Sequence, residues 1–185
     1  SNNSPAPVAT WLSPPNIFTM ARLVLLPFVI VGVTTHHGWL AVAAMAAIIL
    51  TDLLDGRMAR HLGLTSAFGK TLDSTVDFVL IYSLFIALYA AGRLATYQFG
   101  ILYLAMLTIL LPQLVAMGGG ERLVRTASGR LTGALQYGFL LLLVAMEVLP
   151  RTPALVACSL GLFGLLAVAI LVNSVECLVV LRRLT

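Results

Sequence analysis

Apolar residues run through this chain in six long blocks, and polar residues collect in the short gaps between them. The blocks lie at about 17–33, 39–54, 76–91, 97–117, 131–149 and 153–181. Within a block the apolar positions are continuous rather than alternating. That pattern excludes a membrane-spanning barrel and predicts helices. Several blocks fall short of the ~20 apolar residues needed to cross a bilayer. They reach that length only if their polar ends are helical too. This matters most for the second and third blocks, whose polar ends carry the chemistry. The expected fold is therefore an all-α integral membrane protein, a bundle of six transmembrane helices. Residues 1–14 form a juxtamembrane stub, and 15–185 form one six-helix transmembrane domain. The stub holds Pro5, Pro7, Trp11 and Pro14 and is expected to lie along the membrane surface. Its start, Ser1-Asn2-Asn3-Ser4, reads as truncated or processed, and no secretory signal peptide precedes the first block.

Composition supports a lipid environment. The 185 residues are 60% hydrophobic and 10% charged, with a mean hydropathy of +1.02. Soluble domains carry roughly 25% charged residues. The net charge of +4 is spread along the chain and makes no nucleic-acid footprint. Nine of the eleven basic residues fall on one predicted side: Arg22, Arg57, Arg60, Lys70, Arg122, Arg125, Arg130, Arg182 and Arg183. Only Arg93 and Arg151 fall on the other. The excess of positive charge on the inner side places both termini in the cytoplasm. Cys158 and Cys177 lie on one apolar block. A continuous helix would separate them by ~28 Å, so they are packing residues rather than a disulfide pair. His36 and His37 lie on a predicted outer loop and read as interfacial polar residues, with Trp11 and Trp39 as interface anchors.

Four of the seven acidic residues fall close together, at Asp52, Asp55, Asp73 and Asp77. Carboxylates at membrane depth are costly and mark function by default. Asp52 and Asp55 are three apart, and Asp73 and Asp77 four apart, so each pair shares a helix face. A short loop joins the two helices, which must then run antiparallel, and their acidic faces can meet. Four such carboxylates need a cation, and an all-oxygen ligand set suits Mg²⁺ or Mn²⁺. Two ions ~4 Å apart would suit displacement at phosphorus. Gly56, Ala59 and Gly69 leave room for a ligand beside the backbone, and Arg60 offers a fork for phosphate. The plainer alternative is an acidic helix end neutralised by Arg57, Arg60 and Lys70. A divalent-cation transporter would use the same aspartates but needs a polar path continuing beyond them. A non-catalytic membrane scaffold would have no reason to keep Asp77.

The string from Asp52 to Asp77 reads D-x2-D-G-x2-A-R-x8-G-x3-D-x3-D. It resembles the signature of the CDP-alcohol phosphotransferase family at every fixed position. Pro15-Asn16-Ile17-Phe18-Thr19-Met20-Ala21-Arg22 resembles the family's P-N-x-x-T-x-x-R entry to the first helix. The resemblance implies a homodimeric enzyme of the cell (inner) membrane, its active site facing the cytoplasm. Such an enzyme transfers a phosphatidyl group from CDP-diacylglycerol to an alcohol and releases CMP. It implies Asp52, Asp55, Asp73 and Asp77 as metal ligands, with Asp77 also the general base. Gly56, Ala59, Arg60 and Gly69 become donor contacts, as do Asn16, Thr19 and Ser66.

The acceptor is less closely specified. Arg122, Arg125 and Arg130 suit a phosphorylated alcohol such as glycerol 3-phosphate or inositol phosphate. They also fit positive-inside topology alone. Ser128-Gly129-Arg130 followed by Gln136 resembles a G-[K/R]-x5-Q stretch of phosphatidylglycerophosphate and cardiolipin synthases. Those enzymes usually carry an arginine and then an acidic residue on the fourth helix, where this chain reads Leu111-Pro112-Gln113-Leu114. Either Glu121-Arg122 substitutes for that pair or the acceptor differs.

Overall fold

A computed structural model describes residues 14–62, 67–119 and 127–184, with side-chain surroundings at 17–54, 72–108 and 128–179. Six helices follow in order: α1 Pro14–Thr34, α2 Gly38–Leu62, α3 Ala67–Ala90, α4 Thr96–Gly119, α5 Ala127–Ala145 and α6 Pro153–Leu184. The polar ends of the second and third blocks are helical, as their length required. Among the described residues, three helices are long and apolar enough to cross a membrane, at Ile17–Thr34, Leu72–Ala90 and Pro153–Val179. The apolar part of α2, Gly38–Leu54, is shorter. The chain divides into two compact units, Ser1–Ala87 and Leu88–Thr185.

In the first unit α1 and α2 make a close helical hairpin. Thr35 and His36 turn the chain, and His36 takes a left-handed conformation (φ 60) that histidine tolerates better than most residues. The His37 carbonyl then accepts the first backbone bonds of α2, from Leu40 at 2.9 Å and Ala41 at 3.2 Å. Both histidines are exposed. Gly32 sets the approach of the two helices. A Cβ there would lie 2.5 Å from the Ala41 backbone nitrogen. Glycine at such a crossing lets backbones meet at a distance that side chains forbid.

The buried faces follow helical spacing. Leu26, Val29 and Val33 are buried on α1, Ala41, Ala44, Met45 and Ile48 on α2, and Val76, Leu80 and Leu84 on α3. Steps of three and four place each set on one stripe. Extending the stripes toward the other end of the hairpin brings in polar residues. On α1 the next positions are Arg22 and Thr19, both buried. On α2 the next is Asp52, and on α3 the next are Asp77 and Asp73. The inward face of each helix thus ends in chemistry. Outward, Val24 is 67% and Trp39 77% exposed, which suits a lipid-facing surface.

In the second unit α6 packs against α5 and α4. Phe139 and Phe163 meet with ring centroids 5.5 Å apart, and Tyr97 meets the edge of Phe163 at 6.0 Å. The α3–α4 turn uses Gly92 at φ 70. Its N–H reaches the Tyr89 carbonyl at 2.9 Å, and the Arg93 N–H reaches the Leu88 carbonyl at 2.8 Å. This paired closure is the usual glycine-terminated helix end. Gln98 Oε1 accepts from the Ala95 N–H at 3.0 Å and caps α4.

The fifth helix ends earlier than its apolar block suggests, at Ala145 rather than near Leu149. Glu147 and Val148 instead bond back three residues, to Val144 at 3.1 Å and Ala145 at 3.2 Å. Pro150 disfavours helix in the residue before it, and the chain tightens ahead of it. The tightened turn coincides with an ion pair, Glu147 to Arg93 at 2.8 Å.

Candidate active site

The α1, α2 and α3 stripes converge on one charged cluster. Arg22 on α1 is 1% exposed and points its guanidinium at three carboxylates. Its Nη1 lies 3.1 Å from Asp52 Oδ1 and 2.5 Å from Asp77 Oδ1. Its Nη2 donates to Asp73 Oδ1, with Thr19 Oγ1 3.5 Å away. Asp52 of α2 meets Asp73 and Asp77 of α3, and the three meet around an arginine from α1, while the side chain of Asp55 lies outside the described residues. That arginine is a member of the cluster to which the sequence alone assigns no part in the site. Its place near a helix end has an ordinary explanation as a topogenic charge. The signal was available: positions 19, 22, 26, 29 and 33 step by three and four, so Arg22 had to share the packed face of α1.

The carboxylates are not sealed in. Asp52 is 48% exposed and Asp73 and Asp77 are each 44% exposed. A buried cation therefore lies beneath a half-open ring of acids. One oxygen from each of Asp52, Asp73 and Asp77 can be chosen so that all lie within 4.8 Å of one another. This donor set fits a hard divalent cation, which takes carboxylate oxygens and keeps some water. The charges fit as well. Three carboxylates against one guanidinium leave a deficit that a single divalent ion would fill.

The remaining predicted residues divide by place. Asp55, Gly56, Ala59 and Arg60 lie on the last turns of α2, Gly69 on the first turn of α3 and Asn16 at the start of α1. Their backbone is helical at the acidic end of each helix, and their side-chain surroundings lie outside the described residues. Ser66, Glu121, Arg122 and Arg125 lie outside the described residues altogether, as do residues 1–13. Thr19 is buried beside Arg22. Arg130 is exposed on the first turn of α5, in the second unit.

The second unit has a polar seam that sequence reading did not assign. Ser128 donates to Glu176, with Asn173 Oδ1 3.2 Å away. One turn on, Thr132 donates to the Ala169 carbonyl at 3.2 Å, and Gln136 is buried beyond it. Asn173 and Glu176, three apart in a long apolar helix, were the visible signal. Polar side chains satisfied between two helices in lipid act as glue.

The family model for CDP-alcohol phosphatidyltransferase matches residues 12–180. The chain belongs to that family. It is a family of enzymes, and the match takes in every residue of the acidic cluster and α1 to α5 from Arg22 onward. The chain is similar to a probable phosphatidylglycerophosphate synthase of Mycobacterium tuberculosis, 35% identical over 85 residues. That stretch is 43% of this chain and 41% of the relative. It is similar to the CDP-diacylglycerol–glycerol-3-phosphate 3-phosphatidyltransferase of Bacillus subtilis, 30% identical over 139 residues and covering 67% of each chain. It also resembles a probable CMP-forming cardiolipin synthase of Drosophila melanogaster, 35% identical over 88 residues, 47% of this chain and 27% of that one. The matched stretch thus spans about two fifths of the mycobacterial relative. Among CDP-alcohol phosphatidyltransferases, then, this chain keeps its three described aspartates within reach of one cation and around one buried arginine.

Proposed function

We propose that the protein transfers the phosphatidyl group of CDP-diacylglycerol to glycerol 3-phosphate and releases CMP. The observation that carries this is the convergence of Asp52, Asp73 and Asp77 at a half-exposed mouth, within a family of phosphatidyltransferases. Asp55 completes the ligand set from the next turn of α2. A divalent cation bound by these residues, Mg²⁺ or Mn²⁺, supplies charge to hold the donor diphosphate and to stabilise the leaving phosphate. The protein's own work is orientation and proton transfer. Gly56, Ala59 and Gly69 leave room for the cytidine nucleotide, and Arg60 binds its diphosphate, with Asn16, Thr19 and Ser66 as further donor contacts. Asp77 accepts the proton of the acceptor hydroxyl. The hydroxyl oxygen bonds to the β-phosphorus, the bond from that phosphorus to CMP breaks, and CMP carries away the electron pair.

Glycerol 3-phosphate is favoured because two of the similar proteins carry it or its product in their names. Arg122, Arg125 and Arg130 are its proposed phosphate contacts. All six helices cross the cell membrane in this reading, with the acidic mouth at the cytoplasmic face and the donor's acyl chains left in lipid. A homodimer is part of the same reading, carried by the family resemblance. A cation-permeation route fits poorly. Inward of the acids the stripes continue as Leu26, Val29, Ile48, Leu80 and Leu84, which offer an ion nothing.

The deciding experiment supplies purified protein with Mg²⁺ or Mn²⁺, CDP-diacylglycerol and a panel of alcohols, and measures CMP release. The expected result is metal-dependent CMP release with glycerol 3-phosphate as the best acceptor. No CMP with any acceptor would sink the enzyme reading. Release with another alcohol alone would replace the acceptor.

A further inference from the structure

The three carboxylates that could hold a divalent cation are already engaged by an arginine. Asp73 Oδ1 and Asp77 Oδ1 both accept from Arg22, and Asp52 Oδ1 lies 3.1 Å from it. Arg22 cannot retreat easily. It is 1% exposed, it stands on the packed stripe of α1, and Thr19 is beside it. A metal ion and a guanidinium that draw on the same carboxylates are like charges in a site partly shielded from water. They repel there more strongly than they would in bulk solvent. The same guanidinium keeps the carboxylates from repelling one another.

We propose that Arg22 is a resident counter-ion of the acidic site, a positioning residue that gathers Asp52, Asp73 and Asp77 and competes with the divalent cation for them. Metal entry loosens the Arg22 contacts with these carboxylates and leaves the guanidinium beside Thr19. The inference rests on reading the aspartates as metal ligands, and it adds a cost to metal binding that the ligand set alone would not carry. It has a signature that simple packing lacks. Removing the charge lowers the stability of the metal-free protein and tightens metal binding, two effects of opposite sign from one side chain.

The test uses the full chain in detergent, as wild type, Arg22→Gln and Arg22→Lys. Free Mn²⁺ is followed by electron paramagnetic resonance during titration. Thermal unfolding is recorded with chelator and with saturating Mn²⁺. The expected result for Arg22→Gln is Mn²⁺ affinity tighter by on the order of tenfold, a lower unfolding temperature in chelator, and a larger rise with Mn²⁺ than the wild type shows. Arg22→Lys, which keeps the charge, is expected to restore wild-type affinity and most of the stability in chelator. Unchanged or weaker Mn²⁺ binding by Arg22→Gln overturns the proposal. Should that variant be unrecoverable in chelator, recovery of folded protein when Mn²⁺ is present throughout supports it, and failure to recover overturns it. Wild-type protein that binds no Mn²⁺ would remove the ligand reading itself. Wild-type binding with an unaltered Arg22→Gln would remove only the role of Arg22.

Discussion

Among the described residues, two arginines hold carboxylates, and they do so on different terms. Arg93 meets one acid, Glu147, at 2.8 Å, and that acid is 2% exposed. Arg22 meets three acids, each nearly half exposed, while it is itself buried. Among the described residues the first arrangement sets one acid against one base, and the acid is hidden. The second has more acid than base, and the acids face outward. A balanced buried pair has nothing left to offer a ligand, whereas an unbalanced cluster at a mouth attracts a cation. Charge stoichiometry and the side on which exposure falls thus separate a structural pair from a candidate site.

The sharpest way to test the contrast is to neutralise one acid in each arrangement. Asp77→Asn is expected to abolish turnover, a loss of about 10²–10⁴ if Asp77 acts as the base. The fold and donor binding should survive. CMP release and retention of a CDP-diacylglycerol analogue are the two measurements. Turnover at the wild-type rate would refute the role. In the other arrangement the loss should fall on stability. Glu147→Leu leaves Arg93 without its carboxylate and is expected to cost about 3 kcal/mol, read from unfolding in detergent. Adding Arg93→Met should return much of that. Activity per folded molecule should change little in either variant. A large drop in that specific activity would mean the Arg93–Glu147 pair is no mere clamp.

The comparison also rests on the hairpin that carries Arg22. Gly32→Ala would place a methyl group 2.5 Å from the Ala41 backbone nitrogen, and backbone cannot step aside as a flexible side chain can. The α1–α2 contact should open at a cost of about 1–3 kcal/mol. Arg22 lies on the same α1 stripe, so Mn²⁺ affinity should shift along with the unfolding temperature. A shift in unfolding temperature alone would mean that the acidic end is set independently of the crossing.

Much of this was legible in the sequence, for reasons that can be named. Apolar runs without alternation have only the helix open to them in lipid, so six helices followed from the pattern. The aspartates were legible because carboxylates are rare in such runs and their spacing put each pair on one face. Arg22 was harder. A basic residue near a helix end has an ordinary explanation in topology, and only continuity with Leu26, Val29 and Val33 turns it inward. The early end of α5 was hidden for another reason. Met146, Val148 and Leu149 continue the apolar block past the single acid Glu147, up to Pro150. The tight turn there coincides with a long-range partner of Glu147, Arg93, that local sequence does not reveal.

The smallest effect is expected in the seam between α5 and α6, where polar groups satisfy one another. Ser128→Ala removes a hydroxyl that bonds Glu176 and lies 3.2 Å from Asn173. Interhelical hydrogen bonds in lipid contribute about 0.6 kcal/mol on average, so the unfolding temperature should fall only slightly. Metal affinity should stay at the wild-type value, because the residue belongs to the unit that does not contain the aspartates. Ser128 stands two residues before Arg130, however, on the turn that would meet the acceptor phosphate. A rise in the glycerol 3-phosphate KM with an unchanged donor KM would move the seam from structural glue to acceptor support. Equal constants for both substrates would keep it, with Arg93 and Glu147, among the charged and polar groups whose bonds are spent within the protein.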